Sequence, residues 1–453
     1  MPKKAKVSYV CQECGYDSPA YLGKCPECGN WNTFKEFVEA SVAGGGKAKS
    51  DSVIAQSGES PKKLSEIVYQ KNLRIQTKFH ELDTVLGGGL VAGSAILLAG
   101  DPGIGKSTLL LQLCLSLASD GKTILYISGE ESIEQIKLRA DRLLASAKGG
   151  VKGEQKTDTL LLISLSDPDI AITQIESVKP DLVVVDSIQT MQSANLEGLS
   201  GSVGQVRYAA LHFIRTCKAL QTPLILVGHV TKEGMVAGPM VLSHMVDTVL
   251  FLEGEKVTST RLLRSLKNRF GPVDEVGVFL MDEGGLKEVA HPEQIFLSLK
   301  TENVAGSVLV VTMEGTRAFL VEIQALAVYS KLPMPRRVVS GLDQKRVELL
   351  LAVLQKHCRL PVETMDIFVN VAGGLKLSDP GIDLGICLAI YSSVKNIPLS
   401  KTVGIAEVGL LGELRDVPSL GKRIREAEKL GFSGILTAKT SKFLNNVLQS
   451  LQK

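Results

Sequence analysis

The chain has 453 residues, enough for two or three domains of roughly 150 residues each. It is 44% hydrophobic and 22% charged with a net charge of +3, an ordinary globular balance that supplies a sizeable core. The mild basicity is compatible with a polyanionic partner without arguing for one. No stretch approaches the roughly 18 apolar residues of a membrane span, and the start "MPKKAKVSYVCQECG" lacks the apolar segment of a secretory signal, so the chain reads as cytoplasmic with no membrane partner.

The first signal along the chain is "CQECGYDSPAYLGKCPECGNW". Cys11, Cys14, Cys25 and Cys28 form two C-x2-C pairs separated by ten residues. Each pair can wrap a tight turn around one edge of a metal ion, and Gly15 and Gly29 follow the second cysteine of each. Two such knuckles give the all-thiolate tetrahedral set that Zn2+ favours in structural sites. Two disulfides or a redox pair are the competing readings, and a cytoplasmic setting disfavours the disulfides. Residues 1–38 are therefore expected to be a zinc module that needs its metal to fold. Residues 39–66, rich in Gly, Ser and Lys without periodicity, read as a flexible linker.

From 67 to 290 short aliphatic runs alternate with helical stretches. "AILLAG" (95–100), "TILYIS" (123–128), "LLLISL" (160–165), "LVVVDS" (182–187) and "LILVGH" (224–229) have the length and density of buried parallel strands. "KSTLLLQLCLSLAS" and "YAALHFIRTCKAL" have helical length between them. The pattern predicts an α/β doubly wound domain. Cys114 and, further on, Cys387 sit in apolar runs and read as small core residues.

"GDPGIGKST" at 100–108 matches G-x-x-x-x-G-K-[ST] between a predicted strand and a predicted helix, the context that this ATP-binding motif requires. Gly100, Gly103 and Gly105, with Asp101, Pro102 and Ile104 between them, let backbone amides turn toward the phosphates at a helix N-terminus. Lys106 would reach the β/γ-phosphates, Ser107 would ligate Mg2+, and Thr108 is the neighbouring hydroxyl. Asp186, ending "LVVVD", is placed to hold Mg2+. Glu130 or Glu131 in "YISGEES" could polarise the attacking water. His229 reads equally as a γ-phosphate sensor or as a structural histidine.

"KNRFG" at 267–271 lies about 160 residues downstream of the phosphate loop, at the predicted end of a strand that Gly271 and Pro272 close. Lys267 and Arg269, two apart on a strand, would share a face. They are either a solvated basic edge that blocks strand pairing or cations offered to a neighbouring subunit's ATP.

Residues 291–453 change character. "GSVLVVTMEGTRAFLVEIQALAV" is strand-like with a hairpin signal at "MEGT", and "DQKRVELLLAVLQKH" is helical, so a separate α+β domain is expected.

Taken together, "HELDTVLGGGLVAGSAILLAGDPGIGKST" resembles the RecA-type ATPase core, and "LKLSDPGIDLGICLAIYSS" (375–393) and "VGLLGELRDV" resemble the Lon protease segments bearing its nucleophile and lysine. With the four-cysteine module and "KNRFG", the order of parts over essentially the whole chain resembles the bacterial RadA (Sms) family. The resemblance implies Glu130 as the catalytic carboxylate, Lys267 and Arg269 acting in trans, and ring hexamers with ATP at subunit interfaces. It also implies a DNA-dependent ATPase of homologous recombination and repair, translocating on single-stranded DNA, promoting branch migration on branched DNA and cooperating with RecA recombinase. In the Lon-like segment Asp383 stands where the serine would be and Arg415 where the lysine would be. Neither supports a Ser–Lys dyad, nothing pairs Ser378, Ser392 or Ser393 with a base, and proteolysis is rejected. The domain is expected to be an oligomerisation and DNA-binding scaffold, with Arg336, Arg337, Lys422, Arg423 and Arg425 as candidate phosphate contacts; for the last three an ordinary solvated helix surface competes. A nucleotide-regulated protein-binding ATPase and an ATP-dependent Lon-like protease are the alternative functions.

Overall fold

The computed structural model describes residues 7–11, 17–26, 29, 31–38, 63, 74–147, 157–229, 242–254, 259–289, 304–399 and 402–451. Cys14, Gly15, Cys28 and all of the linker except Lys63 lie outside the described residues. The chain divides into two compact units. One comprises Met1–Glu253, Leu263–Val273 and Met281–Lys287; the other comprises Gly254–Leu262, Asp274–Leu280 and Glu288–Lys453.

The first unit begins with a three-stranded antiparallel sheet in the order β2-β1-β3, from β1 (Val7–Cys11), β2 (Asp17–Ser18) and β3 (Phe34–Val38). Its core is small: Cys11, Cys25 and Phe34 are buried and pack with Tyr9 and Leu22.

An α/β core follows in alternation: β4 (Arg74–Ile75), α1 (His80–Leu86), β5 (Leu90–Val91), β6 (Ala95–Gly100), α2 (Lys106–Ser119), β7 (Ile124–Ser128), α3 (Ile133–Ala147), β8 (Leu160–Ser164), α4 (Pro168–Val178), β9 (Leu182–Asp186), α5 (Val203–Ala219), β10 (Leu224–His229), β11 (Thr248–Glu253), β12 (Thr260–Asn268), β13 (Val276–Asp282) and β14 (Gly285–Glu288), of which Thr260–Leu262, Val276–Leu280 and Glu288 are counted with the second unit. The nine-stranded sheet runs β14-β13-β12-β11-β6-β10-β9-β7-β8. The pairs from β11 through β8 are parallel. All five aliphatic runs become strands in it, and β6, β7 and β9 are buried at every residue, as strands covered by helices on both faces must be. Cys114 is fully buried in α2.

Register decides where the chemistry falls. Gly100 pairs level with His229, and Ser128 with Asp186. The strands that carry the phosphate loop, the "SGE" turn and Asp186 therefore end together at the carboxyl edge, where open α/β sheets bind ligands.

The second unit contains a six-stranded sheet in the order β17-β18-β16-β15-β19-β22. The hairpin β15 (Ser307–Glu314) and β16 (Arg317–Tyr329) turns at Gly315 and Thr316, within the "MEGT" signal, with Gly315 at φ 63°. Then come β17 (Arg337–Ser340), α6 (Gln344–Cys358), β18 (Met365–Val371), α7 (Asp383–Lys395), β19 (Thr402–Ile405), β20 (Glu407–Val408), β21 (Leu414–Arg415), α8 (Leu420–Lys429), β22 (Gly434–Thr437) and α9 (Leu444–Ser450). Helix α6 starts where the Asp343 side chain accepts from the Lys345 amide, an N-cap worth about 1 kcal/mol. Helix α7, with Cys387 fully buried, is buried at every residue from Asp383 to Ser392 and runs through the core.

Candidate active site

Between β6 and α2 the chain makes a loop that only glycine permits. Gly100, Gly103 and Gly105 have φ of 153°, 76° and 116°. A Cβ on Gly100 would also stand 2.4 Å from the Leu252 carbonyl oxygen. Gly105 is the N-cap of α2 and brings no side chain to its first amides, leaving those donors and the helix dipole for an anion. Ile104 is buried beneath the loop, and its amide donates to the Asp101 carbonyl at 3.3 Å. Asp101 is half-buried, Pro102 is exposed, and Ser107 and Thr108 are half-buried at the start of α2. The residues fit a polyphosphate.

Lys106 is 4% exposed and its Nζ donates to the carbonyls of Gly100 (2.8 Å) and Asp101 (3.0 Å). Burial lowers its pKa, partly opposed by Asp186, Asp101 and Glu130. An ammonium at this point works as a buried point charge.

Asp186 is 8% exposed and its Oδ2 accepts from the Tyr126 hydroxyl at 2.6 Å. Burial and this carboxylate together push the Tyr126 hydroxyl far above its usual range, so the tyrosine stays a donor and fixes the carboxylate's orientation. The Ser107 hydroxyl and the Asp186 carboxylate are oxygen donors of the kind Mg2+ takes.

The turn after β7 separates the two candidate glutamates. Glu130 Oε1 accepts from the Ser187 hydroxyl at 2.5 Å, beside Asp186. Glu131 pairs with Arg139, while its carbonyl accepts from the hydroxyls of Ser128 (2.8 Å) and Ser164 (3.2 Å). Glycine at 129 is a packing requirement, since a Cβ there would stand 2.0 Å from Thr190 Oγ1. Tyr126 and Ser187 cannot be picked out from the sequence: each lies in an aliphatic run or one residue past it and carries no spacing signal. His229 is level with Gly100, and its side chain lies outside the described residues.

"KNRFG" sits at the other edge. Strand β12 ends at Asn268, three residues earlier than Gly271: the Asn268 side chain accepts from the Phe270 amide (2.9 Å) and donates to the carbonyls of Val85 and Leu86, and this local turn replaces the ladder. Lys267 is on the strand and Arg269 beyond it, so alternation along one strand does not relate them. They converge through the segment before β11. Lys267 Nζ donates to the carbonyls of Ser243 (2.7 Å) and Val246 (2.8 Å), and Arg269 pairs with Asp247 at 3.3 Å. Asp247 also accepts from the amide of Ala95 at the start of β6. Gly100 and the phosphate loop lie at the far end of that strand, five residues or about 17 Å away.

In the second unit Asp383 is 1% exposed and accepts from Arg346 Nε (3.1 Å), from Arg346 Nη2 and from the Val408 amide (3.2 Å). Burial raises its pKa, and Arg346 draws it partly back. Arg415 pairs with Glu413 at 2.6 Å. Ser378, Arg346, Asp383 and Glu407 line a cavity of about 240 Å³. Ser392 accepts from the Gly306 amide and donates to the Ile397 carbonyl, and Ser393 accepts from the Ala327 amide, so both hydroxyls serve the backbone.

Two of the expected phosphate contacts are corrected. Arg423 is 2% exposed and bonds Asp379 and the Val311 carbonyl, each at 2.6 Å. Arg337 donates to the carbonyls of Arg336, Val362 and Met365. Arg336, Lys422 and Arg425 are exposed. Lys422 and Arg425 line an open depression of about 450 Å³ together with Arg317 and Lys429.

In the N-terminal module Cys11 and Cys25 are both buried in the same small core. The amide of Gly29, at φ 74°, donates back to the Cys25 carbonyl at 3.0 Å, the tight return of a metal knuckle. This half fits a thiolate-bound ion; Cys14 and Cys28 lie outside the described residues.

A family profile described as an AAA domain matches residues 61–235, and one described as a rubredoxin metal binding domain matches residues 9–36. The chain is 45% identical over 441 residues to the DNA repair protein RadA of Streptococcus pyogenes serotype M6, covering 97% of this chain and 94% of that one. It is 45% identical over 435 residues to the DNA repair protein RadA of Bacillus subtilis (strain 168), covering 96% and 92%. The protein of the same name from Listeria monocytogenes serovar 1/2a is 43% identical over 441 residues, covering 97% and 93%.

Proposed function

The chain belongs to the family of the DNA repair protein RadA, and we propose that within it this protein is a DNA-dependent ATPase of homologous recombination. It moves on single-stranded DNA and drives branch migration, with RecA recombinase as partner, in the cytoplasm. ATP use and a metal-bearing module come with the matched profiles; zinc is the ion that four thiolates favour.

One observation carries the reading. The sheet gathers the phosphate loop, Glu130 and Asp186 at one edge and "KNRFG" at the other. The cations cannot serve their own phosphate loop across about 17 Å, so they suit a neighbouring subunit in a closed ring. When bound, ATP supplies the phosphoanhydride that is broken and Mg2+ neutralises its oxygens. Lys106, released from its two carbonyls, is placed for the β/γ-phosphates, and Ser107 and Asp186 would hold the metal. Glu130, oriented by Ser187, accepts the proton of the attacking water. Arg269 from the neighbour adds positive charge where charge develops, an effect worth about 10³–10⁵ in rate in the best-studied cases.

The second unit is a scaffold for assembly and DNA. Its exposed Arg336, Lys422 and Arg425 suit phosphates. With Asp383 locked to Arg346 and Arg415 paired to Glu413, the two Lon-like positions hold no hydroxyl–amine dyad, and casein incubated with ATP should stay intact.

The test is ATP turnover with and without single-stranded DNA, with assembly state followed by light scattering. Wild type should be stimulated by DNA as a ring, and Lys106→Ala should lose about 10²-fold or more. Unchanged hydrolysis in Lys106→Ala would refute the phosphate site. Turnover indifferent to DNA would favour a regulatory protein-binding ATPase. No helix among the described residues is long and apolar enough to cross a membrane.

A further inference from the structure

The metal module carries a feature that neither its metal nor its core requires. Trp31 is the only tryptophan of the chain and is 69% exposed. The module's core forms without it. The ring is nevertheless held: Trp31 bridges Lys24 across two antiparallel segments, the Asn32 amide donates to the Gly23 carbonyl at 2.7 Å, and Lys24 Nζ lies 5.5 Å from the ring centroid. A second exposed ring, Tyr21, packs edge-on against Tyr9 (5.8 Å) and Phe34 (6.4 Å).

We infer that Trp31 is a stacking platform for a base of single-stranded DNA, with Lys24 placed for the adjoining phosphate. The inference rests on the DNA-acting reading above and assigns the module a direct part in it. A large indole left in water calls for a partner, and its surroundings say which kind. Gly23, Lys24 and Asn32, which the bridge and its hydrogen bond set beside Trp31, are all exposed. A protein anchor pocket needs apolar neighbours that seal the ring from water. A nucleobase needs only a flat π-face and a nearby cation, and stacking tolerates any base. Small polar flanks beside an aromatic–lysine pair match the second requirement.

Because Trp31 is the sole tryptophan, its fluorescence reports this site alone in the full-length protein. Titration with a dye-labelled oligothymidylate, read by tryptophan emission and dye anisotropy together, should give one saturation curve in both channels, with emission quenched. Trp31→Ala should weaken binding about tenfold. Trp31→Phe, which keeps a ring, should bind within a few-fold of wild type, and both should retain bound metal and the DNA-free ATPase rate. Anisotropy that reports tight binding while Trp31 emission stays constant, with Trp31→Ala binding as tightly as wild type, would overturn the inference and leave the DNA reading standing. Loss of binding in both channels would overturn the two together. Quenching by added recombinase but not by DNA would assign the ring to a protein partner and overturn it too.

Discussion

Glu130 and Glu131 are adjacent in sequence, and the fold gives them opposite tasks. Ser187 aims Glu130 at the edge where Lys106 and Asp186 meet, while Arg139 holds Glu131 and the Glu131 carbonyl ties β7 to β8. Glu130→Gln keeps the shape and the Ser187 hydrogen bond but cannot take a proton, so turnover should fall by about 10²–10⁴ while nucleotide affinity holds. Glu131→Gln should cost at most about 1 kcal/mol of stability and leave turnover within a few-fold. Single-turnover hydrolysis and binding of a fluorescent ATP analogue separate the two. If Glu131→Gln gave the larger loss of turnover, the assignment would be reversed. The sequence names both residues and cannot choose between them, because the direction of each side chain is set by a turn whose partners lie 8 to 57 residues away. Arg423 was more readable than it looked. It stands one helical turn before Ala427 and shares its buried face, so helical spacing alone separates it from Lys422 and Arg425.

At the level of elements, the strands were the most legible part of the chain. A run of aliphatic residues as dense as "AILLAG" has nowhere to go but a sheet covered on both faces, and its bounds match β6. The end of β12 was not legible, since it depends on what the Asn268 side chain finds in α1. That end sets the roles within "KNRFG". Lys267 caps the carbonyls of Ser243 and Val246, whereas the Arg269 side chain is 59% exposed beside Asp247. Burial, and then the neighbouring Arg269, hold the Lys267 pKa below its usual value. Lys267→Ala should therefore strip partners from two carbonyls and lower stability by about 1–3 kcal/mol, visible in urea unfolding. Arg269→Ala should unfold like wild type yet lose DNA-stimulated turnover by about 10³-fold. Mixing Arg269→Ala with Lys106→Ala subunits should restore part of the activity, because some interfaces then pair an intact loop with an intact arginine. No recovery at any mixing ratio would rule out action in trans.

The order of modules was legible at the scale of the whole molecule because each carries its own signature: paired knuckles, a phosphate loop, a hairpin. Which core a given strand joins was not. Leu262, Val276 and Val278 belong to the same buried cluster as Val310, Val321 and Ile367, and an apolar pattern reports burial without naming the neighbours. The chain's cysteines give a way to test the modules separately. The ATPase core is built from dozens of buried apolar side chains, whereas the first module has a handful around Cys11 and Cys25 and leans on its metal. Burial raises the thiol pKa of Cys114, pushes Cys217 up to about 12 and Cys358 up to about 11, and holds Cys387 well above the usual range. At mildly alkaline pH these four are protonated and slow to react. Stripping the metal with a chelator should therefore expose only Cys11, Cys14, Cys25 and Cys28. A thiol reagent should then count four fast sites per chain, with one zinc released for every four. ATP-analogue binding should be unchanged after stripping, and affinity for single-stranded DNA should drop to that of Trp31→Ala. A count above four, or loss of nucleotide binding on chelation, would mean that the metal supports more of the chain than its N-terminal module.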